Sequence, residues 1–117
     1  MVVFITSDLM MASNANAHAK QQGIKIRQVS SAEQGLEIVK EHRPHLLLVD
    51  LQCPGLDIEA LGTSLSKLAD AISPLTIGFA QHVEVDKLQA GRDAGFDQVL
   101  TRGQMNSQVS QIIAGAS

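Results

Sequence analysis

Five short apolar segments recur along the chain, and they predict five β-strands. Residues 2–5 and 45–50 are nearly uninterrupted apolar stretches, which are typical of strands buried on both faces of a parallel sheet. Residues 24–29 alternate apolar and polar side chains, which predicts a half-exposed edge strand. The remaining two predicted strands are residues 75–80 and 98–101.

Helical patterns occupy the intervals between these segments. An Ala- and Asn-rich segment runs to Gln22 and ends at Gly23, and a Ser-x-x-Glu capping box at Ser30 and Glu33 predicts the start of a second helix. That helix should bury Ala32, Leu36 and Val39. The clearest helical stripe consists of Ile58, Leu61, Leu65, Leu68 and Ile72. Residues 83–94 predict a fourth helix ended by Gly95, and the last helix has the apolar face Met105, Val109, Ile112 and Ile113.

Strands that alternate with helices through short loops predict an α/β fold, a doubly wound parallel sheet covered on both faces, in one domain of residues 1–117. In such sheets, ligands bind at the carboxyl ends of the strands, near the point where the strand order reverses. The candidate pocket residues are therefore Thr6, Ser7, Asp8, Asp50, Ala80, Gln81, Thr101 and Arg102.

Composition narrows the range of functions. The 117 residues include 12 acidic and 9 basic side chains, which argues against a nucleic-acid binder, and the three Phe without Trp or Tyr offer little for stacking on bases. The single Cys53 excludes an internal disulfide and Cys-pair metal sites. We find neither a membrane-spanning segment nor a signal-peptide pattern, so we expect a cytoplasmic protein.

Asp50 is the residue that most needs an explanation. It ends a strand of consecutive aliphatic residues, where a carboxylate is costly unless it is solvated, paired or bound to a metal. One interpretation is an ordinary helix-capping or loop acid. The other is a carboxylate presented for chemistry at the point where the strand order reverses.

Two motifs resemble those of response-regulator receiver domains. The segment Leu-Leu-Leu-Val-Asp50-Leu-Gln-Cys-Pro54-Gly55 resembles the family's phosphoacceptor strand, and Gly-Phe96-Asp97-Gln98-Val99-Leu100-Thr101-Arg102 resembles its fifth-strand motif. The resemblance covers the whole chain. It implies a CheY-like sheet of order 2-1-3-4-5, Asp50 at the phosphoacceptor position, and a signalling role in a two-component phosphorelay.

The chain departs from the family pattern at most of the other functional positions. Receivers carry an acidic pair that binds Mg²⁺ after the first strand, and Thr6 and Ser7 stand at those positions, with Asp8 one step further. Ala80 replaces the hydroxyl residue that ends the fourth strand. Val99 replaces the aromatic residue of the fifth strand, and Arg102-Gly103 replaces Lys-Pro. We therefore expect Mg²⁺ binding through Asp8 and Asp50 to be weak or absent, and an Asp50–Arg102 ion pair to close the pocket.

These departures favour a degenerate receiver that is not an enzyme and acts by binding a protein partner. The partner would be a histidine kinase, an output protein or a second copy of the chain. The family's usual partner face would consist here of Val83, Val85, Lys87, Gln98, Leu100, Met105 and Gln108. Two alternatives remain open. One is a working receiver that is phosphorylated on Asp50 by a histidine kinase, with Asp8 recruited to Mg²⁺. The other is a flavodoxin-like binder of a small ligand.

Overall fold

A five-stranded, all-parallel sheet forms the centre of the protein in a computed structural model, which describes residues 1–115. The strands are β1 Val2–Ile5, β2 Ile26–Val29, β3 Leu46–Asp50, β4 Leu75–Ala80 and β5 Gln98–Thr101. They lie in the order β2-β1-β3-β4-β5, so the expected doubly wound fold and its strand order are confirmed. Residues 116 and 117, part of the predicted domain 1–117, lie outside the described residues.

Helices cover both faces of this sheet. They are α1 Leu9–Gln21, α2 Ala32–His42, α3 Ile58–Ser66, α4 Val85–Asp93 and α5 Arg102–Ala114, with a short 3-10 helix at Asp70–Ile72. The helices α1 and α5 pack on one face, and α2, α3 and α4 pack on the other. Every residue of β1 and β3 is buried, as expected for the two central strands on either side of the reversal in strand order.

Each face of the sheet has its own hydrophobic core. On the α1–α5 face, Phe4 and Phe79 contact each other edge to face with ring centroids 5.9 Å apart. Met105 completes this core from α5 and is 1% exposed. On the opposite face, Leu47 and Val49 pack against the buried residues of α2, α3 and α4. The two cores fix the sheet, and with it the carboxyl ends of the strands.

Two helix boundaries differ from the predictions. The capping residue of α2 is Ser31, which accepts a hydrogen bond from the Gln34 backbone at 3.2 Å, so the predicted box at Ser30 and Glu33 is displaced by one residue. The third helix ends at Ser66, so the predicted stripe to Ile72 continues into the 3-10 helix. In residues 1–115, no helix is both long and apolar enough to cross a membrane.

Candidate functional site

The register of the central strands places Thr6 beside Asp50. The two strands pair in parallel with Ile5 opposite Val49, so the next residue of each lies at the carboxyl edge of the sheet. The Thr6 hydroxyl donates a hydrogen bond to Asp50 Oδ2 at 2.8 Å. Thr6 is fully buried and Asp50 is 8% exposed, so this contact lies away from bulk water.

The second oxygen of the Asp50 carboxylate also has a donor. The backbone N–H of Gln52 donates to Asp50 Oδ1 at 3.0 Å, as in an Asx-turn. The Gln52 side chain in turn accepts the Gln81 backbone N–H at 2.8 Å and so connects the β3 and β4 ends. The sequence interpretation missed Gln52, although an Asp side chain commonly accepts the backbone N–H two residues later in a turn.

Asp8 and Arg102 form an ion pair across the neighbouring helix ends. Asp8 is the N-cap of α1 and accepts the Met11 backbone N–H at 3.1 Å, while its Oδ2 accepts a hydrogen bond from the Arg102 guanidinium. The same guanidinium nitrogen lies 3.6 Å from Met11 Sδ. The expected pair of Arg102 with Asp50 is therefore wrong. Arg102 is the first residue of α5 and points toward the start of α1, and the Asp50 oxygens already have donors.

The hydrogen bonds of Asp8 affect its titration. The Met11 backbone N–H, and after it the Arg102 guanidinium, hold the pKa of Asp8 below its ordinary value, against an opposing effect of partial desolvation. The pair is about one-third exposed, so water and salt screen the attraction. The contact still connects the first turns of α1 and α5 on one side of the pocket.

The remaining predicted pocket residues lie at the same edge of the sheet. Ala80 ends β4, is fully buried and pairs in register with Thr101. Thr101 is the N-cap of α5 and forms a capping box with Gln104, so the helix starts directly after the strand. Ser7 and Gln81 are exposed. All eight predicted positions are thus gathered at one edge, but among them only Thr6 forms a hydrogen bond with the Asp50 side chain.

Comparison with known proteins identifies the fold. No model of a known protein family matches the sequence, and no curated protein matches it. Among solved structures, a putative response regulator from Chloroflexus aurantiacus matches with a TM-score of 0.77 and 19% identity over 97% of this chain and 96% of that one. The receiver domain of NtrX from Brucella abortus matches with a TM-score of 0.79 and 13% identity over 99% and 97% of the two chains. The chain has the receiver-domain fold.

A third match bears on the metal. The receiver domain of the sensor histidine kinase PA1611 from Pseudomonas aeruginosa, solved with magnesium in its active-site cleft, matches with a TM-score of 0.76 and 13% identity over 97% of this chain and 96% of that one. In the present chain, the Thr6 hydroxyl is hydrogen-bonded to Asp50, Ser7 is exposed, and Asp8 is engaged with Arg102. Within residues 1–115, no three His, Cys, Asp or Glu side chains cluster as metal ligands would. Because Mg²⁺ takes carboxylate oxygens in octahedral geometry, this donor set does not fit it as arranged.

Cys53 lies close to the site without belonging to its chemistry. It is 5% exposed, and its thiol lies 3.5 Å from the Ser30 carbonyl oxygen. Burial raises the pKa of the Cys53 thiol, and the negative charge of Asp50 raises it further. A thiol with a raised pKa holds little thiolate at neutral pH, so Cys53 packs the loop after β3 and is a poor nucleophile.

The predicted partner face is mostly accessible, with one exception. Val83 and Val85 are 66% and 65% exposed, and Lys87 and Gln98 are exposed as well. Leu100 and Gln108 are half-buried. Met105 is a core residue on the α1–α5 face, so its assignment to an exposed partner face is wrong. The apolar positions that predict α5 as a helix, Met105 among them, are the positions that pack on the sheet.

Proposed function

We propose that the chain is a receiver-type module of a two-component phosphorelay that acts by binding a protein partner, with little or no phosphorylation of Asp50. The observation that carries the proposal is the hydrogen bond from Thr6 to Asp50 Oδ2, together with that from the Gln52 backbone to Oδ1. Both carboxylate oxygens already have donors from the protein itself.

Phosphoryl transfer to a carboxylate needs a cation to screen the repulsion between two anions. Arg102, the basic residue among the eight pocket positions, is paired with Asp8. Ala80 supplies no hydroxyl at the end of β4 to hold a transferred phosphoryl group. The pocket thus offers no free cation to screen the Asp50 carboxylate and no hydroxyl to bind a transferred phosphoryl group. This favours a signalling role that does not depend on phosphate.

Signalling of this kind requires a surface that binds the partner. That partner is a histidine kinase, an output protein or a second copy of the chain. The exposed Val83, which precedes α4, and Val85, the first residue of α4, are suitable apolar contacts, with Lys87 and Gln98 at the rim. The pair Val83→Ser and Val85→Ser should weaken binding to the partner or, for a homodimer, lower the sedimenting mass. A fully monomeric wild type would contradict the homodimer.

The test of the phosphate-independent role is a titration of the ¹⁵N-labelled chain with beryllofluoride and Mg²⁺. We expect the amide signals of Asp50 and Thr101 to stay in place at millimolar metal. The PA1611 receiver, which is known to hold magnesium, serves as the positive control. Shifts at both positions would contradict the proposal and favour the working receiver, and an acid-labile phosphoryl adduct that is lost in Asp50→Asn would establish it.

A small-ligand binder is tested separately. Native mass spectrometry of the purified chain should give the mass of the polypeptide alone. A copurified flavin or metabolite would contradict the signalling proposal and favour the flavodoxin-like alternative.

A further inference from the structure

The charges of the protein are divided between two parts of the fold. Residues 33–97, which include α3, α4 and all of α2 except its first residue, carry eleven Asp or Glu and five Lys or Arg. Residues 1–32 and 98–117, which include α1, β2 and α5, carry four Lys or Arg and a single acid, Asp8. The net charge of −3 therefore combines about −6 on the first part with about +3 on the second.

The basic side chains of the second part concentrate at the β2 edge of the sheet. Arg102 is neutralised by Asp8, which leaves Lys20 at the end of α1 and Lys25 and Arg27 on or beside β2. All three are exposed, and none of them takes part in an ion pair within residues 1–115. Three exposed cations that form no ion pair favour an anionic partner.

Two adjoining pockets, which share Asn16 and Ile26 in their linings, form a groove along this edge between α1 and β2. We call it the β2 groove, and it is lined by Leu9, Asn16 and Lys20 of α1 and by Lys25, Ile26 and Gln28. Leu9 is 73% exposed at one end, and the two lysines lie at the other. An occupant would therefore meet apolar and amide side chains along the groove and positive charge at its end.

The backbone of β2 is open along the same groove, because β2 is an edge strand. The carbonyls of Lys25 and Val29 accept hydrogen bonds from the N–H groups of Val2 and Thr6, at 2.8 and 2.9 Å. Since backbone groups alternate in direction along a strand, those of Ile26 and Gln28 face the open edge. These groups match what an added strand pairs with.

We propose that the β2 groove binds an extended, acidic protein segment that adds a sixth strand to the sheet beside β2. Its backbone pairs with Ile26 and Gln28, and its carboxylates contact Lys20 and Lys25. This edge lies at the opposite side of the sheet from β5, so its occupation leaves Val83 and Val85 accessible.

The test uses the full ¹⁵N-labelled chain and a capped peptide of alternating valine and glutamate. We expect saturable shifts of the Ile26 and Gln28 amides, and binding that weakens as salt is added. A peptide with glutamine in place of glutamate should bind at least about fivefold more weakly, because it lacks the charges. Equal affinity for the two peptides, or shifts confined to another face, would overturn the proposal.

Two pairs of variants separate charge from strand pairing. Lys25→Glu should weaken peptide binding about tenfold, whereas Lys67→Glu, the same charge change at the exposed end of α3, should alter it less than about twofold. Gln28→Pro should abolish binding, because proline removes an edge N–H that β1 does not use. Gln28→Ala retains that N–H and loses only the side chain, so it should weaken binding far less than Gln28→Pro does. Equal losses within either pair would contradict the assignment.

The folded state of each variant is checked by urea unfolding before the titration. Self-association of the chain without peptide, lost in Lys25→Glu, would instead assign the groove to a second copy. A single-stranded DNA oligonucleotide that shifts the same amides at lower concentration than the acidic peptide would assign the cations to nucleic acid. Either result would overturn the acidic-segment proposal.

Discussion

Replacement of Thr6 by valine removes one hydroxyl from the centre of the site and preserves the shape of the side chain. That hydroxyl donates to Asp50 Oδ2 at 2.8 Å and accepts the Asp8 backbone N–H at 3.1 Å. Because Thr6 is fully buried, water does not readily replace it as a donor. The variant therefore leaves the Asp50 carboxylate with one fewer hydrogen bond in a largely buried position.

The size of the effect follows from the two lost contacts. A hydrogen bond to a charged group contributes about 1.5–3 kcal/mol, so we expect Thr6→Val to lower the free energy of unfolding by about 2–3 kcal/mol. This corresponds to a fall in Tm of roughly 10 °C for a chain of this size. The measurement is urea unfolding at pH 7 followed by circular dichroism, with an unchanged m-value as evidence that the folded state remains compact.

Thr6→Ser is the matched control. It retains the hydroxyl and loses only a buried methyl group, so it should cost about 1 kcal/mol. In an Asp50→Ala background, the acceptor is gone and Thr6→Val should cost about 1.5 kcal/mol less than in the wild type. Equal losses for the valine and serine variants, or the same valine loss in both backgrounds, would refute the view that Thr6 stabilises the Asp50 carboxylate.

Three further predictions follow from Asp8, a pair of glycines and the buried thiol. The lowered pKa of Asp8 stabilises the folded chain at pH values above the ordinary carboxyl pKa. Wild type should therefore have a higher urea midpoint than Asp8→Asn at pH 7, and this difference should disappear as the pH falls through and below about 4. A difference that persists in acid would contradict this explanation. Gly62→Ala should lower the free energy of unfolding by about 1–3 kcal/mol, because its Cβ would lie 2.6 Å from Ala94 Cβ. Gly103→Ala has open space around its Cβ and should raise the free energy of unfolding by about 0.5–1 kcal/mol. Unfolding curves that rank the two variants in the reverse order would be inconsistent with this packing. Iodoacetamide at pH 8 should modify Cys53 much faster in urea than in the folded chain, because burial and a raised pKa protect the thiol, and equal rates would show that it is accessible.

The fold was predictable because its signals are long and redundant. Continuous apolar stretches mark the central strands β1 and β3, and each helix carries a stripe that meets the sheet. The ends of the helices were harder to predict from the sequence than their existence. The apolar spacing that starts at Ile58 continues past Ser66 although the backbone leaves the helix, because Leu68 still packs against the same core. The adjacent serines 30 and 31 likewise offer two registers for one cap, and only the structure distinguishes them.

The site was predictable in part. Thr6 beside Asp50 follows from the parallel register of neighbouring strands, since both residues directly follow a buried pair. The partner of Arg102 does not follow from any local pattern, because Asp8 is 94 positions away and the contact depends on where α5 begins. The capping box at Thr101 starts that helix directly after β5. Arg102 therefore extends toward the first turn of α1, and not toward Asp50.

The two contacts together explain why one substitution would not convert this pocket into a magnesium site. Aspartate at position 6 would place a second carboxylate beside Asp50 at the ends of adjacent buried strands, where the two negative charges would repel each other without a cation between them. The same change would remove the hydroxyl that accepts the Asp8 N–H. Asp8 would also have to release Arg102 before it could act as a ligand. Each acid of the pocket thus has a partner from the protein itself, and a metal site would require changes around Thr6, Asp8 and Arg102 together.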